Sequence, residues 1–180
     1  MKHRSFSIAS FYFLQRSVAA GVGIAIATDP LLAAAQCMEK LKGKIYTNLP
    51  TDLCPRYTDM LLGQSPKKQE YGGVICDRPE ASYILLQRLL RHTNQGKAVW
   101  QIIQVQPISK PNPQSLILGT GCRRHLQPQN TGSTEPIFAL VQPISQNTYQ
   151  TLSAWSISLN KESFAAIDAR QVICKDLLRE

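Results

Sequence analysis

The sequence is poor in the residues and patterns that most chemistry requires. Its 180 residues include three histidines, and 12 acidic side chains stand against 20 lysines and arginines. No Cys-x-x-Cys pair is present, so neither a thioredoxin-type redox centre nor a zinc ribbon has its usual spacing. The nucleophile pattern Gly-x-Ser-x-Gly, the P-loop, the dinucleotide glycine pattern and the His-Glu-x-x-His metal pair are missing too. Each solves a local geometric problem, and their absence leaves only enzymes assembled from distant residues. Nothing in the chain calls for a cofactor or a metal. Nucleic acid is excluded as a partner, because no basic helix with aromatic interleaving occurs.

What is present begins with an export pattern. Lys2 and Arg4 precede the apolar core Val18 to Ala27, whose ten residues fall short of the about 20 that a membrane-spanning helix needs. Asp29-Pro30 breaks the helix, and Ala33-x-Ala35 offers the two small side chains that a signal peptidase accepts. The expected organisation is a leader over residues 1–35 and one exported domain over 36–180, in a periplasmic or extracellular setting. Two alternatives remain: an uncleaved inner-membrane anchor, aided by Phe11 to Leu14, and lipidation at Cys37. The whole chain carries a formal charge of +8, and losing Lys2, Arg4, Arg16 and Asp29 leaves +6. Such an excess suits an anionic envelope polymer or simply keeps an exported protein soluble.

Cys37, Cys54, Cys76, Cys122 and Cys174 all follow the expected cut. In an oxidising compartment they are disulfide candidates, and five cysteines give two bridges and one leftover thiol in 15 possible arrangements. Val74-Ile75 before Cys76 and Val172-Ile173 before Cys174 suggest short strands whose ends are tied down.

The periodicity predicts an α+β fold: one main amphipathic helix and a short N-terminal helix packed on a four- to five-stranded antiparallel meander, linked by disulfides. Residues from Cys37 to Gly63 read as an irregular lid, with the short helix opening at Pro55, carrying Tyr57, Met60 and Leu61, and closing at Gly63. The main helix follows Asp77-Arg78-Pro79-Glu80, which resembles a capping box. Tyr83, Leu86, Leu89 and Leu90 form its face, and Gly96 ends it. Beyond Ala98 the chain turns extended. Val105-Gln106-Pro107-Ile108-Ser109 recurs as Val141-Gln142-Pro143-Ile144-Ser145, which predicts two similar hairpins in one sheet. In the second, Trp155, Ile157 and Leu159 share a face, and Phe164 to Ile173 is expected to add a fifth strand.

Chemistry is sparse. Arg123, Arg124 and His125 form the best candidate patch for an anionic or protein partner. The sharpest catalytic alternative pairs Cys122 with His125 or His92, since a thiolate needs a neighbouring base or cation, and implies a cysteine-dependent hydrolase or thiol exchanger. Against it stands a structural disulfide at Cys122 beside a solvated basic loop. Asp77 with Glu80 is read as a helix cap rather than a glycosidase pair, and Trp100 and Trp155 as core rather than a sugar platform.

The run Leu152-Ser153-Ala154-Trp155-Ser156-Ile157 through Phe164, then Val172-Ile173-Cys174, resembles the C-termini of small exported proteins of unknown function in cyanobacteria. The resemblance implies a Gram-negative export route and an envelope location, and carries no activity or site. The resulting expectation is a non-catalytic envelope or secreted protein serving as a binding or structural module.

Overall fold

Apolar runs become strands in both halves of the chain, including the two that read as helices. The computed structural model describes residues 40–77, 82–119, 121–125, 135–145 and 148–175; the expected leader, Cys37 and residues 126–134 lie outside them. The strands are β1 (Ile45–Tyr46), β2 (Tyr57–Gln64), β3 (Glu70–Cys76), β4 (Ser82–His92), β5 (Ala98–Ile108), β6 (Leu116–Leu118), β7 (Cys122–Arg124), β8 (Ile137–Ser145), β9 (Thr148–Ser158), β10 (Ser163–Ile167) and β11 (Val172–Cys174). A single 3₁₀ turn, Ala169–Gln171, precedes β11, and no α-helix occurs among the described residues.

This corrects the α+β expectation. The main helix is β4, antiparallel to both β3 and β5, and the short N-terminal helix is β2. The reason lies in how β4 is buried. Ile84 and Leu86 enter the core on one face of their sheet while Tyr83 and Leu85 enter a second cluster on the other. A strand buried on both faces shows no alternation, so its continuous apolar run cannot be told from a helix face by periodicity alone. Gly96 does adopt positive φ, at +76°, but in the β4–β5 hairpin turn. There Thr93 Oγ1 accepts from the backbone N–H groups of Gln95 and Lys97.

The strands form a five-stranded sheet ordered β1-β5-β4-β3-β2, a four-stranded sheet ordered β10-β9-β8-β6, and a two-stranded ribbon of β7 with β11. All pairings are antiparallel. The expected second hairpin is the β8–β9 pair. The expected first hairpin does not form, because β5 pairs with β4 and β1 whereas β6 crosses to pair with β8. The two copies of the Val-Gln-Pro-Ile-Ser sequence therefore occupy different places, one leaving the β4–β5 hairpin and one approaching the β8–β9 turn. The anticipated fifth strand is divided between β10, on the four-stranded sheet, and β11, in the ribbon.

The larger sheets pack face to face as a sandwich. Ile75, Ile84, Leu86 and Ile108 meet Phe138, Leu140 and Ile157, with Trp155, Leu159 and Phe164 at the margin. Trp155, Ile157 and Leu159 thus share the inner face, as the alternation predicted, and the core reading of Trp155 holds. Phe138 is fully buried and lies where two glycines make room: a Cβ on Gly73 would sit 2.6 Å from its Cζ, and one on Gly119 2.6 Å from its Cε1. Burying such a ring contributes roughly 2–3 kcal/mol, so these close approaches help define the fold.

Each sheet is also covered on its outer face. Leu41, Leu49 and Cys54 from the N-terminal segment pack on Val74, Tyr83, Leu85 and Ile102 of the five-stranded sheet. Val172 and Cys174 of the ribbon pack on Ile137, Ala139, Val141 and Ala154 of the four-stranded sheet. The lid reading, made for Cys37 to Gly63, holds only for the part from Leu41 to Cys54; residues 57–63 are strand β2 of the sheet itself, and the expected helix is absent.

Candidate functional site

The ribbon positions the residues that sequence singled out. Cys122 lies opposite Cys174, Arg123 opposite Ile173 and Arg124 opposite Val172. The pairing extends past both strands, since His125 N–H donates to Gln171 O (2.6 Å) and Lys175 N–H to Gly121 O (3.1 Å). Side chains alternate across a strand. Cys122 and Arg124 therefore face the sandwich with the buried Val172 and Cys174, and Arg123 and His125 face away. Exposure agrees: Arg123 and His125 are exposed and Arg124 is half-buried.

The three predicted patch residues thus do not converge. Arg123 and His125 share the outward face, joined there by the exposed Lys175, and Arg124 belongs to the other side. Lys175 escaped sequence reasoning because its position depends on β11 returning 52 residues later to pair with β7. Successive outward rungs of a strand are about 7 Å apart, so Lys175, Arg123 and His125 form a short stripe spaced for an extended polyanion. Arg170, further along the chain, is already engaged with Asp168 through an ion pair of 2.8 Å.

Cys122 is bonded to Cys174 and Cys54 to Cys76. These bridges place four of the five cysteines and choose among the arrangements left open by the sequence. They also remove the nucleophile: the Cys122 sulfur is a disulfide sulfur, and no thiolate is there for His125 to activate. His92, at the end of β4, is exposed.

A second polar arrangement lies where the sandwich edges approach each other. A cleft of about 280 Å³ is lined by Arg56, Tyr57 and Thr58, by Ile75 and Asp77, and by Leu116 to Leu118 of β6. Asp77 caps no helix. Its Oδ1 accepts from Lys110 Nζ (2.6 Å) and from Ser82 Oγ (2.7 Å). Burial pushes the Asp77 carboxyl up, but the bonds from Lys110 and Ser82 outweigh that effect and hold it below the usual carboxylate range. An acid kept ionised and paired in this way is a structural anchor rather than a proton donor. At the other end of the sandwich, Glu162 Oε1 accepts from Tyr71 Oη (2.9 Å) and Arg88 (3.3 Å), linking the β9–β10 turn to the five-stranded sheet. Burial first, and this bond second, raise the Tyr71 hydroxyl above its ordinary value.

Among the described residues, no three His, Cys, Asp or Glu side chains are grouped to hold a metal ion. No helix among them is long and apolar enough to cross a membrane. No family model, curated protein or solved structure matches this chain. The two disulfides themselves speak for an oxidising environment.

Proposed function

We propose that this chain is an exported, non-catalytic binding module of the cell envelope, meeting an anionic polymer or an acidic protein surface through the outward stripe of Arg123, His125 and Lys175. The observation that supports this most is the shared exposure of these cations on one face of a ribbon whose other face is anchored by buried Val172 and Cys174. Cations held on a rigid backbone lose less freedom on binding than cations on a mobile loop. The net positive charge adds a general attraction that steers polyanions toward the molecule. The periplasmic or extracellular setting follows from the leader pattern at residues 1–35, and kinship with small exported cyanobacterial proteins is part of the same proposal.

The test is retention on immobilised polyglutamate at low ionic strength, with elution by salt as the readout. The expected result is retention that Arg123→Gln with Lys175→Gln abolishes and Arg124→Gln leaves nearly intact. Absence of retention by the unaltered protein, or equal loss with Arg124→Gln, rejects the stripe. Intact-mass measurement of the envelope fraction tests the location, the expected N-terminus being Gln36; recovery of the full-length chain there favours the anchored alternative.

A further inference from the structure

We infer that Cys122 is a site of thiol–disulfide exchange, at which an external dithiol of the oxidoreductase class opens the Cys122–Cys174 bridge and frees the ribbon while Cys54–Cys76 stays closed. The two bridges differ in surroundings. Cys54 and Cys76 are both fully buried. Cys174 is 5 % exposed, but its partner Cys122, the first residue of β7, is only half-buried. Exchange rate depends on access to the attacked sulfur and on how readily the departing sulfur carries charge.

The exchange balances as a two-electron step. A thiolate of the external dithiol attacks Cys122 Sγ, and the Cys122–Cys174 bond breaks with Cys174 leaving as a thiolate. The second thiol of the reductant then attacks the mixed disulfide, releases Cys122 as a thiolate and closes its own disulfide. The two protons of the reductant pass to the two protein thiolates or to solvent. Afterwards β7 and β11 are joined only by their backbone pairing, three registered residue pairs with the flanking bonds of His125 and Lys175, and what they cover is the apolar row Ile137, Ala139, Val141 and Ala154. Opening this bridge therefore loosens the cation stripe from its support and uncovers an apolar face. The inference does not depend on what the stripe binds.

Timed reduction of the oxidised full chain with dithiothreitol, alkylation and peptide mapping tests it. Cys122 and Cys174 are expected to be alkylated at least ten-fold faster than Cys54 and Cys76, with binding of an environment-sensitive dye rising in step with the first pair. Simultaneous opening of both bridges, or earlier opening of Cys54–Cys76, overturns the inference. So does reduction of the first pair without a rise in dye binding.

Discussion

The outer faces of the sandwich are covered in two different ways. On the five-stranded sheet, the disulfide joins cover to sheet: Cys54 belongs to the N-terminal segment and Cys76 ends β3. On the four-stranded sheet, the disulfide joins the cover to itself, since Cys122 and Cys174 lie on the two strands of the ribbon. The first cover is further tied by backbone bonds, Gly43 N–H to Ile102 O (2.7 Å) and Ile102 N–H to Lys44 O (3.0 Å), and by the Tyr46 hydroxyl donating to the buried Gln87. The Tyr83 hydroxyl reaches the other way, from the sheet to Leu53 O. The ribbon rests on apolar packing and on Thr151 Oγ1 donating to Val172 O (3.0 Å). One cover is an integral layer of the core, and the other is a clip laid upon it.

Removing each bridge is the strongest way to break this comparison. Chain entropy alone ranks the longer loop first: a separation of 52 residues restricts the unfolded chain by about 4 kcal/mol, and one of 22 by about 3 kcal/mol. Packing reverses the order. Cys54→Ala with Cys76→Ala also vacates two fully buried sites, each worth roughly 1 kcal/mol, and loosens a layer that the central strands need. The expected loss is about 5 kcal/mol for that pair and about 4 kcal/mol for Cys122→Ala with Cys174→Ala, by denaturant unfolding. A larger loss from the second pair would show that both covers count only as loop closures.

The glycine pair of β3 separates the inner face of the same sheet from its covered outer face. Gly73 faces the sandwich interior, and a Cβ there meets the Phe138 ring at 2.6 Å with no space for the ring to retreat. Gly72 faces the N-terminal cover, and a Cβ there meets Gln87 Nε2 at 2.6 Å, the far end of a flexible side chain that gives way at the cost of its bond from the Tyr46 hydroxyl. Gly73→Ala is expected to cost about 3 kcal/mol and Gly72→Ala about 1 kcal/mol. Combining Gly73→Ala with Phe138→Leu should recover part of the loss, a coupling that a double-mutant cycle reads directly.

Much of the second half was legible before the structure, and the reason lies in its surroundings. From Trp155 to Leu159 alternate residues enter the sandwich core, so Trp155, Ile157 and Leu159 declare a strand. In β4, by contrast, Tyr83-Ile84-Leu85-Leu86 is continuous because residues 40–54 bury the second face, a layer distant in sequence. Helix-favouring Leu, Gln and Arg then completed a convincing but false helical face. Asp77 looked like its cap, whereas its partners are Lys110 and Ser82, the first of them 33 residues away. The cation patch was half legible for the same reason: Arg123 and His125 are local, but Arg124 is turned away by strand alternation and Lys175 arrives through β11.

Tyr46 tests how firmly the N-terminal cover is joined to its sheet. Burial, with Asp59 and Tyr57 adding to it, raises the Tyr46 hydroxyl well above its ordinary value of 10.0. The folded state therefore keeps this proton when the unfolded chain has released it. The stability it provides is complete below pH 10 and is lost progressively as the pH rises further. Tyr46→Phe should cost about 1.5 kcal/mol at neutral pH, by leaving the buried Gln87 amide oxygen short of a donor. It should also flatten the alkaline decline seen in thermal unfolding above pH 10. An unchanged slope would assign that decline to Tyr71, which is raised by burial and by its bond to Glu162.

The smallest expected effect comes from a residue that belongs to neither cover. Ser115 precedes β6, is fully buried, and its hydroxyl has no hydrogen-bond partner. A buried hydroxyl without a partner has given up its water and gained nothing in return, so replacing it with a methyl removes a cost. Ser115→Ala should leave stability within about 0.5 kcal/mol of the unaltered protein, with any change in the stabilising direction. That near-neutrality is the baseline against which losses at Cys54, Gly73 and Tyr46 acquire meaning, because all four sites are removed from solvent to a large degree and three of them engage a partner. If Ser115→Ala instead cost as much as Tyr46→Phe, burial alone would account for both, and the distinction between a cover bonded into the core and one resting on it would lose its energetic basis.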